Sequence, residues 1–336
     1  MDDRGMRKKL MVPALQIIVL VLAATAALSI GSTRIPFDRI PSILLAGQES
    51  ADYHILVGLR LPRLILAAAV GGSLGLAGTL LQGMFRNPLV EPYTLGISGG
   101  ASLGVCLAIV FHLTDTIGIM AYPISGFAGA GAVIVLVYFL GIQSGGIKPE
   151  SMLLTGVMIS FVSSSLVMFL MAVSKSDDLH NIIFWIMGSL DEPNTGLIKI
   201  VCTGSITGLV ISLFYCHDLN AMVLGHEEAS FIGVNTVRTR KVLFVTASLL
   251  TGLSVSVAGI IMFVGLIIPH FMRMLFGGDH RTLIINSFFG GASFLIFCDL
   301  FARTVISPLE LPVGVITGII GGVVFIWVLA RKQVVL

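Results

Sequence analysis

Charge is what this sequence has least of. Only 11% of its 336 residues are Asp, Glu, Lys or Arg, where a soluble domain carries about 25%. Hydrophobic residues make up 56%, and the mean hydropathy is +1.00. Apolar stretches of about 20 residues recur along the chain, each long enough to cross a hydrocarbon core of roughly 30 Å. A water-soluble core cannot absorb that much apolar sequence, so lipid is the solvent. The net charge of +2 gives no basic face for a nucleic acid. Four cysteines, Cys106, Cys202, Cys216 and Cys298, are scattered without metal-ligand spacing and read as small apolar fillers of helices.

Catalytic and nucleotide-binding patterns are missing too. Gly145-Gly146-Ile147-Lys148 has the wrong spacing for a phosphate-binding loop and follows a membrane span rather than a strand. There is no triad pattern and no pair of carboxylates within a span. Acidic residues keep to loops and span ends, as at Asp177, Asp178, Asp191, Glu192, Asp299 and Glu310. A secondary transporter usually places an ionisable residue near the membrane midplane to couple ions. None is apparent, so energy enters from elsewhere or transport is passive.

What the chain has in abundance is membrane-spanning helix and glycine. Ten spans are predicted, at 11–31, 62–83, 93–111, 119–141, 151–173, 196–215, 241–262, 264–276, 283–302 and 311–330. The eighth is short for a full crossing. Arg4, Arg7, Lys8 and Lys9 precede an apolar run from Leu10 to Ile30. That run exceeds the roughly 7–15 residues of a signal-peptide core, so it reads as a retained first span. The even number of spans puts both termini on one side. With the termini cytoplasmic, inside segments hold thirteen Lys and Arg and outside segments seven, which favours that orientation. Arg60, Arg63 and Arg303 run against the rule, at outer helix ends. They either snorkel to lipid phosphates or await an acidic partner from outside. The 38 glycines predict close helix–helix contact.

Two segments share a pattern at a constant offset of 181 residues: Ala77-Gly78, Pro88 and Gly96 against Ala258-Gly259, Pro269 and Gly277. The first copy begins in a span running inward and the second in one running outward, which predicts an inverted repeat of about 60–175 and 240–332. Such repeats, with Gly/Pro-interrupted helices, recur in transporters. The longest inside segment, about 216–240, contains Gly225-His226-Glu227-Glu228-Ala229-Ser230-Phe231-Ile232-Gly233. This stretch can form one or two helical turns and fill a groove on a cytoplasmic partner through Phe231 and Ile232; taken alone it also reads as a solvated loop.

Further tags run in order along the chain: Gly58-Leu59-Arg60-Leu61-Pro62-Arg63; Gly71-Gly72-Ser73-Leu74-Gly75-Leu76-Ala77-Gly78; Leu81-Gln82; Arg86-Asn87-Pro88-Leu89-Val90-Glu91-Pro92; Leu95-Gly96-Ile97-Ser98-Gly99-Gly100-Ala101; Phe263-Val264-Gly265-Leu266-Ile267-Ile268-Pro269-His270 with Arg273; Gly278-Asp279-His280-Arg281; Asp299 with Arg303; and Glu310-Leu311-Pro312-Val313-Gly314. In this order the set resembles the permease family of type II ABC importers for iron–siderophore complexes, haem and vitamin B12, over about residues 15–330.

The resemblance implies a single all-α permease domain over 1–336 with about ten transmembrane helices, working as a dimer of two permease copies. It also implies two cytoplasmic ATPase subunits, which carry the ATP and Mg, and a binding protein docking from outside. This chain would hold no cofactor and catalyse nothing itself. By the same likeness, Arg60, Arg63 and Arg303 receive glutamates of the binding protein. Gly225, Glu227, Glu228, Ala229, Phe231 and Gly233 form the segment that sits in the ATPase. Asn87 and Leu89 match one part of the cytoplasmic gate and Pro149 and Glu150 the other, although a member of the family carries small hydroxyl residues at the latter pair. The fifth span should line the pathway, with Thr155, Ser160 and Ser163 on a mildly polar wall; each hydroxyl can equally bond back to its own helix. Met152, Met158, Met168 and Met171 read as packing, and no metal site is expected. An iron chelate is the expected cargo, with cobalamin, haem or molybdate as alternatives, in a cytoplasmic (inner) membrane. A secondary transporter is the competing class.

Overall fold

The computed structural model describes residues 3–330, apart from 32, 48, 49, 144, 145 and 148, and only the backbone of 3–14, 46, 142, 143, 146, 147, 149, 226, 328 and 329. Gly145, Lys148, Arg331, Lys332 and the side chains of Arg4, Arg7, Lys8, Lys9 and Pro149 therefore lie outside the described residues. Among the described residues, fourteen α-helices longer than four residues carry the chain: α1 Asp3–Ser29, α2 Ile40–Ala46, α3 Leu61–Phe85, α4 Ile97–Val110, α5 Ala121–Gly141, α6 Pro149–Val173, α7 Ser176–Met187, α8 Thr195–Phe214, α9 Cys216–Leu224, α10 His226–Phe231, α11 Thr236–Ala258, α12 Val264–Phe276, α13 His280–Thr304 and α14 Val313–Ala330. Each of the ten predicted spans coincides with one of them. Among the described residues, six helical stretches are long and apolar enough to cross a bilayer, and four shorter apolar helices join them. Among the described residues the only strands are a two-residue antiparallel pair, Ile142–Gln143 with Gly146–Ile147.

Glycine sets the helix directions by permitting contact. A Cβ on Gly71 would strike the carbonyl of Gly291, and one on Gly75 that of Ser287, so α3 and α13 cross antiparallel. Gly100 meets Gly129 and Gly104 meets Ser125 in the same way, so α4 and α5 are antiparallel. Gly204 and Gly208 of α8 pack on Leu253 and Leu250 of α11, again antiparallel. The Ser205 hydroxyl donates to the Ala69 carbonyl at 3.1 Å, and further along Gly83 faces Leu219; α8 therefore runs parallel to α3. It follows that α3 and α11 point in opposite directions.

That opposition defines the repeat. A long helix, a short one and two long ones follow one another as α3, α4, α5 and α6, and again as α11, α12, α13 and α14. The inverted arrangement is present, but its alignment is not the 181-residue match. Gly78 lies inside α3 whereas Gly259 follows the end of α11. Pro88 lies in the turn after α3 whereas Pro269 lies inside α12. The shared letters are a coincidence of glycine-rich sequence.

Both halves interrupt their path at the short helix. α4 has 14 residues and α12 has 13, about 20 Å at 1.5 Å per residue. Residues 86–96, with a single 3-10 turn at Pro92–Leu95, and residues 259–263 link these short helices to the long ones before them, and irregular backbone at membrane depth persists only where protein satisfies its polar groups.

Candidate functional site

At one end of the molecule, seven π-helical residues, His54–Arg60, lead directly into α3. Such wide turns inside helices gather at functional sites, and this one delivers Arg60 and Arg63. The sequence placed these arginines in the open. The structure instead buries Arg60 to 6% and Arg303 to 9% exposure. Arg60 donates to the carbonyls of Leu28, at 2.6 Å, and Thr33; Arg303 donates to Ala27 at 3.3 Å. Two cations thus cover the C-terminal carbonyls of α1, where the helix dipole favours positive charge. Asp299 joins the other contacts: Arg63 Nε donates to its Oδ1 at 2.8 Å, and Arg303 Nε stands 3.0 Å from its Oδ2. Arg63 also reaches Glu310 at 2.6 Å. The three arginines and Glu310, with Leu59 and Asp191, border a recess of about 190 Å³.

At the opposite end, Gly225 and Gly233 bracket α10 with φ of 150° and 91°, angles that suit glycine. Between them Ala229 is fully buried while Glu227 and Glu228 are exposed. Phe231 is 88% exposed and Ile232 65%. The expected helical turns are therefore present, held inward by Ala229 and presenting an apolar tip.

The segment before α10 is fastened to the turn between α12 and α13. Asn220 donates to Asp279 at 2.8 Å and accepts from the His280 backbone amide at 2.9 Å. Arg281 meets His217 at 3.1 Å, and the Thr239 hydroxyl donates to Asp218 at 2.6 Å. The Gly278-Asp279-His280-Arg281 tag was visible in sequence, but Asn220 was not singled out, because nothing marks an isolated Asn in a polar loop.

Near the same end, Arg86 adopts φ 51° and ends α3. Asn87 then accepts from the Leu89 amide at 2.9 Å, an Asx turn that leaves Leu89 52% exposed. Glu150, at the start of α6, is exposed.

α6 is the least enclosed long helix, with 17% of its apolar window buried. The Ser160 hydroxyl donates to Gly156 at 3.0 Å, so this position bonds back to its helix. Ser163 is buried against Gly99, and Thr155 is part-buried beside α4 and α5. Ser160 and Ser164 join Ser98 and Ser102 in a cavity of about 390 Å³. Met152 packs on Gly141, whereas Met158 and Met168 are 49% and 67% exposed. His180 lies 4.4 Å from the Phe184 ring centre.

Sequence reasoning missed the ionisable groups inside the molecule. Asp299 is buried between arginines. Glu91 accepts from the Phe263 backbone amide at 2.6 Å, and Tyr93 accepts from that of Ile261 at 3.2 Å. Gln82 donates toward the carbonyls of Gly265 and Leu266 at 3.3 and 3.2 Å and accepts from Arg273 at 3.3 Å. Both interrupted segments meet in this polar knot.

Known proteins resemble this chain. The chain is 39% identical over 318 residues to the Fe(3+) dicitrate transport system permease protein FecD of Escherichia coli, covering 94% of this chain and 98% of FecD. It is 34% identical over 319 residues to the Hemin transport system permease protein HmuU of Yersinia pestis, covering 94% of each. A solved structure of a metal-chelate type ABC transporter in an inward-facing conformation superposes with a TM-score of 0.85 at 29% identity, covering 96% of this chain and 99% of that one. The FecCD transport family model matches residues 18–331, and the chain belongs to that family.

Proposed function

We propose that this multi-pass membrane protein is the permease subunit of an ATP-driven importer, moving an iron chelate of the siderophore type into the cytoplasm. The observation that carries this reading is α10: a short helix that hides Ala229, exposes Phe231 and Ile232, and is tied through Asn220 to the turn before α13. An apolar tip of that kind gains its burial only in the cleft of a partner. The partner proposed is a pair of cytoplasmic ATPase subunits, which hold ATP and Mg and do all the hydrolysis. Both termini then lie on the cytoplasmic side.

The recess lined by Arg60, Arg63 and Arg303 at the other end is the proposed dock of an extracytoplasmic binding protein. Because all three arginines already have internal partners, an incoming carboxylate competes with Glu310 and Asp299 instead of meeting free cations. A second copy of the chain completes the transporter, with the open face of α6 along a central pathway. Asn87 and Leu89 close it, with Pro149 and Glu150 opposite. The iron chelate is preferred because FecD is a ferric dicitrate permease and the superposed structure is of metal-chelate type.

Uptake into proteoliposomes holding the permease, its ATPase and its binding protein tests this, using labelled ferric chelates, haem, cobalamin and molybdate. Uptake of a ferric chelate that needs ATP on the ATPase side supports the proposal. ATP-dependent uptake of another ligand alone changes the cargo. Uptake that ignores ATP and follows an ion gradient replaces the mechanism by secondary transport.

A further inference from the structure

Glu91 takes no part in the docking, gating or coupling just described. It is part-buried in the 86–96 segment and forms no ion pair among the described residues. Its Oε1 instead accepts from the Phe263 amide at 2.6 Å. Phe263 is the residue before α12 and adopts φ 68°, a conformation strained for an aromatic residue. Its carbonyl accepts from Leu266 and Ile267 at 3.2 and 2.9 Å, so Phe263 caps α12. The carboxylate therefore sits at the positive end of that helix and holds the cap in its unusual geometry.

The same residue is fixed to its own segment. The Glu91 carbonyl accepts from the Thr94 amide at 3.0 Å and the Thr94 hydroxyl at 2.6 Å. Val90 closes onto the Asn87 carbonyl at 3.3 Å, and Asn87 holds Leu89. From Asn87 to Thr94 the segment is one internally bonded unit, with the Glu91 side chain as its contact to the other half of the repeat. Tyr93 adds a neutral contact to Ile261.

We propose that Glu91 is a positioning residue of the transport cycle: its carboxylate ties the 87–89 turn to the N-terminal end of α12, so the turn shifts only with the interrupted helix of the second half. The inference rests on the reading of that turn as a gate, and the test separates the two.

Hydrogen exchange by mass spectrometry on the full chain in nanodiscs would compare Glu91→Ala, Glu91→Gln and the unaltered protein. The same samples would carry Leu89→Cys, with maleimide labelling read on the peptide containing that position. Leaving the Phe263 amide without its acceptor should speed exchange in 259–266 by about tenfold or more in Glu91→Ala while leaving 243–256 unchanged, and should alter the labelling rate of the turn. Glu91→Gln keeps an acceptor oxygen and should fall between the other two, which preserves the test if Glu91→Ala does not fold. Unchanged exchange in 259–266 overturns the link. Faster exchange with unaltered labelling also overturns it, because Glu91 would then be a local cap alone. The gate reading fails separately, if labelling at the turn in the assembled transporter ignores ATP while the Glu91 effects stand.

Discussion

Gly78 of α3 lies so close to the carbonyl oxygen of Gly265 in α12 that a single added Cβ would collide with it. Both partners are backbone, so no side chain can swing away. The contact presses the first half of the repeat against the interrupted helix of the second, directly above the Gln82 bonds to Gly265 and Leu266.

Gly78→Val should therefore force α3 and α12 apart. Overpacking a close-packed contact costs about 1–3 kcal/mol, and here the loss of the Gln82 bonds adds to it. Thermal unfolding of the detergent-purified protein, followed by size-exclusion chromatography, should show a clearly lowered midpoint. Gly131→Val is the control, since a Cβ there meets nothing within 4 Å. Equal midpoints for the two variants would refute the contact.

Asp299 bridges Arg63 and Arg303 with only 3% of its side chain exposed. Asp299→Ala leaves the buried Arg303 without its carboxylate and Arg63 with Glu310 alone, and breaking a buried pair from one side costs about 3–5 kcal/mol. The midpoint should fall sharply. Adding Arg303→Met should restore part of the loss, since removing the orphaned charge removes its desolvation penalty. A double variant no better than Asp299→Ala alone would show that Arg303 is stabilised by the Ala27 carbonyl and not by the aspartate.

The ten spans were legible because hydropathy over 20 residues is a local property, and lipid imposes it on every helix. The helical turns of the 226–231 stretch were legible only as one of two readings, because a short, mixed polar and apolar segment fits a solvated loop equally well. The burial of Arg60 and Arg303 was not legible. Position at a helix end says nothing about whether α1 bends its carbonyls toward Arg60, or whether Asp299, remote in sequence, arrives between two arginines. The repeat alignment failed because small residues recur in any glycine-rich membrane chain, so matched letters carry little register information. Glu91 escaped notice because its partner is a backbone amide, which has no signature in sequence.

Glu227 is exposed on α10, and Gly233 ends its turn at φ 91°. Glu227→Arg reverses a charge on the proposed ATPase contact, and Gly233→Trp places a side chain on strained backbone. Both should abolish copurification of the ATPase while the permease keeps its elution volume and helical circular dichroism. Phe231→Asp should do the same, because its 88% exposed ring is the apolar anchor. Normal copurification of all three would remove α10 from the coupling interface.

Glu310 offers the sharpest contrast with Asp299. It bonds the same arginine, at 2.6 Å, but is 52% exposed. Water competes there, so the pair contributes about 0–1 kcal/mol to stability. Glu310→Gln should leave the unfolding midpoint nearly unmoved while removing the negative charge that an incoming carboxylate must displace from Arg63. If the recess is the binding-protein dock, association should then be faster, by a factor that shrinks as salt rises, because exposed charges steer encounter more than they hold complexes. Surface plasmon resonance on nanodisc-embedded transporter at two salt concentrations reads this directly. Slower association of Glu310→Gln at low salt would mean that Glu310 itself contacts the binding protein, and that the partner presents a cation to it.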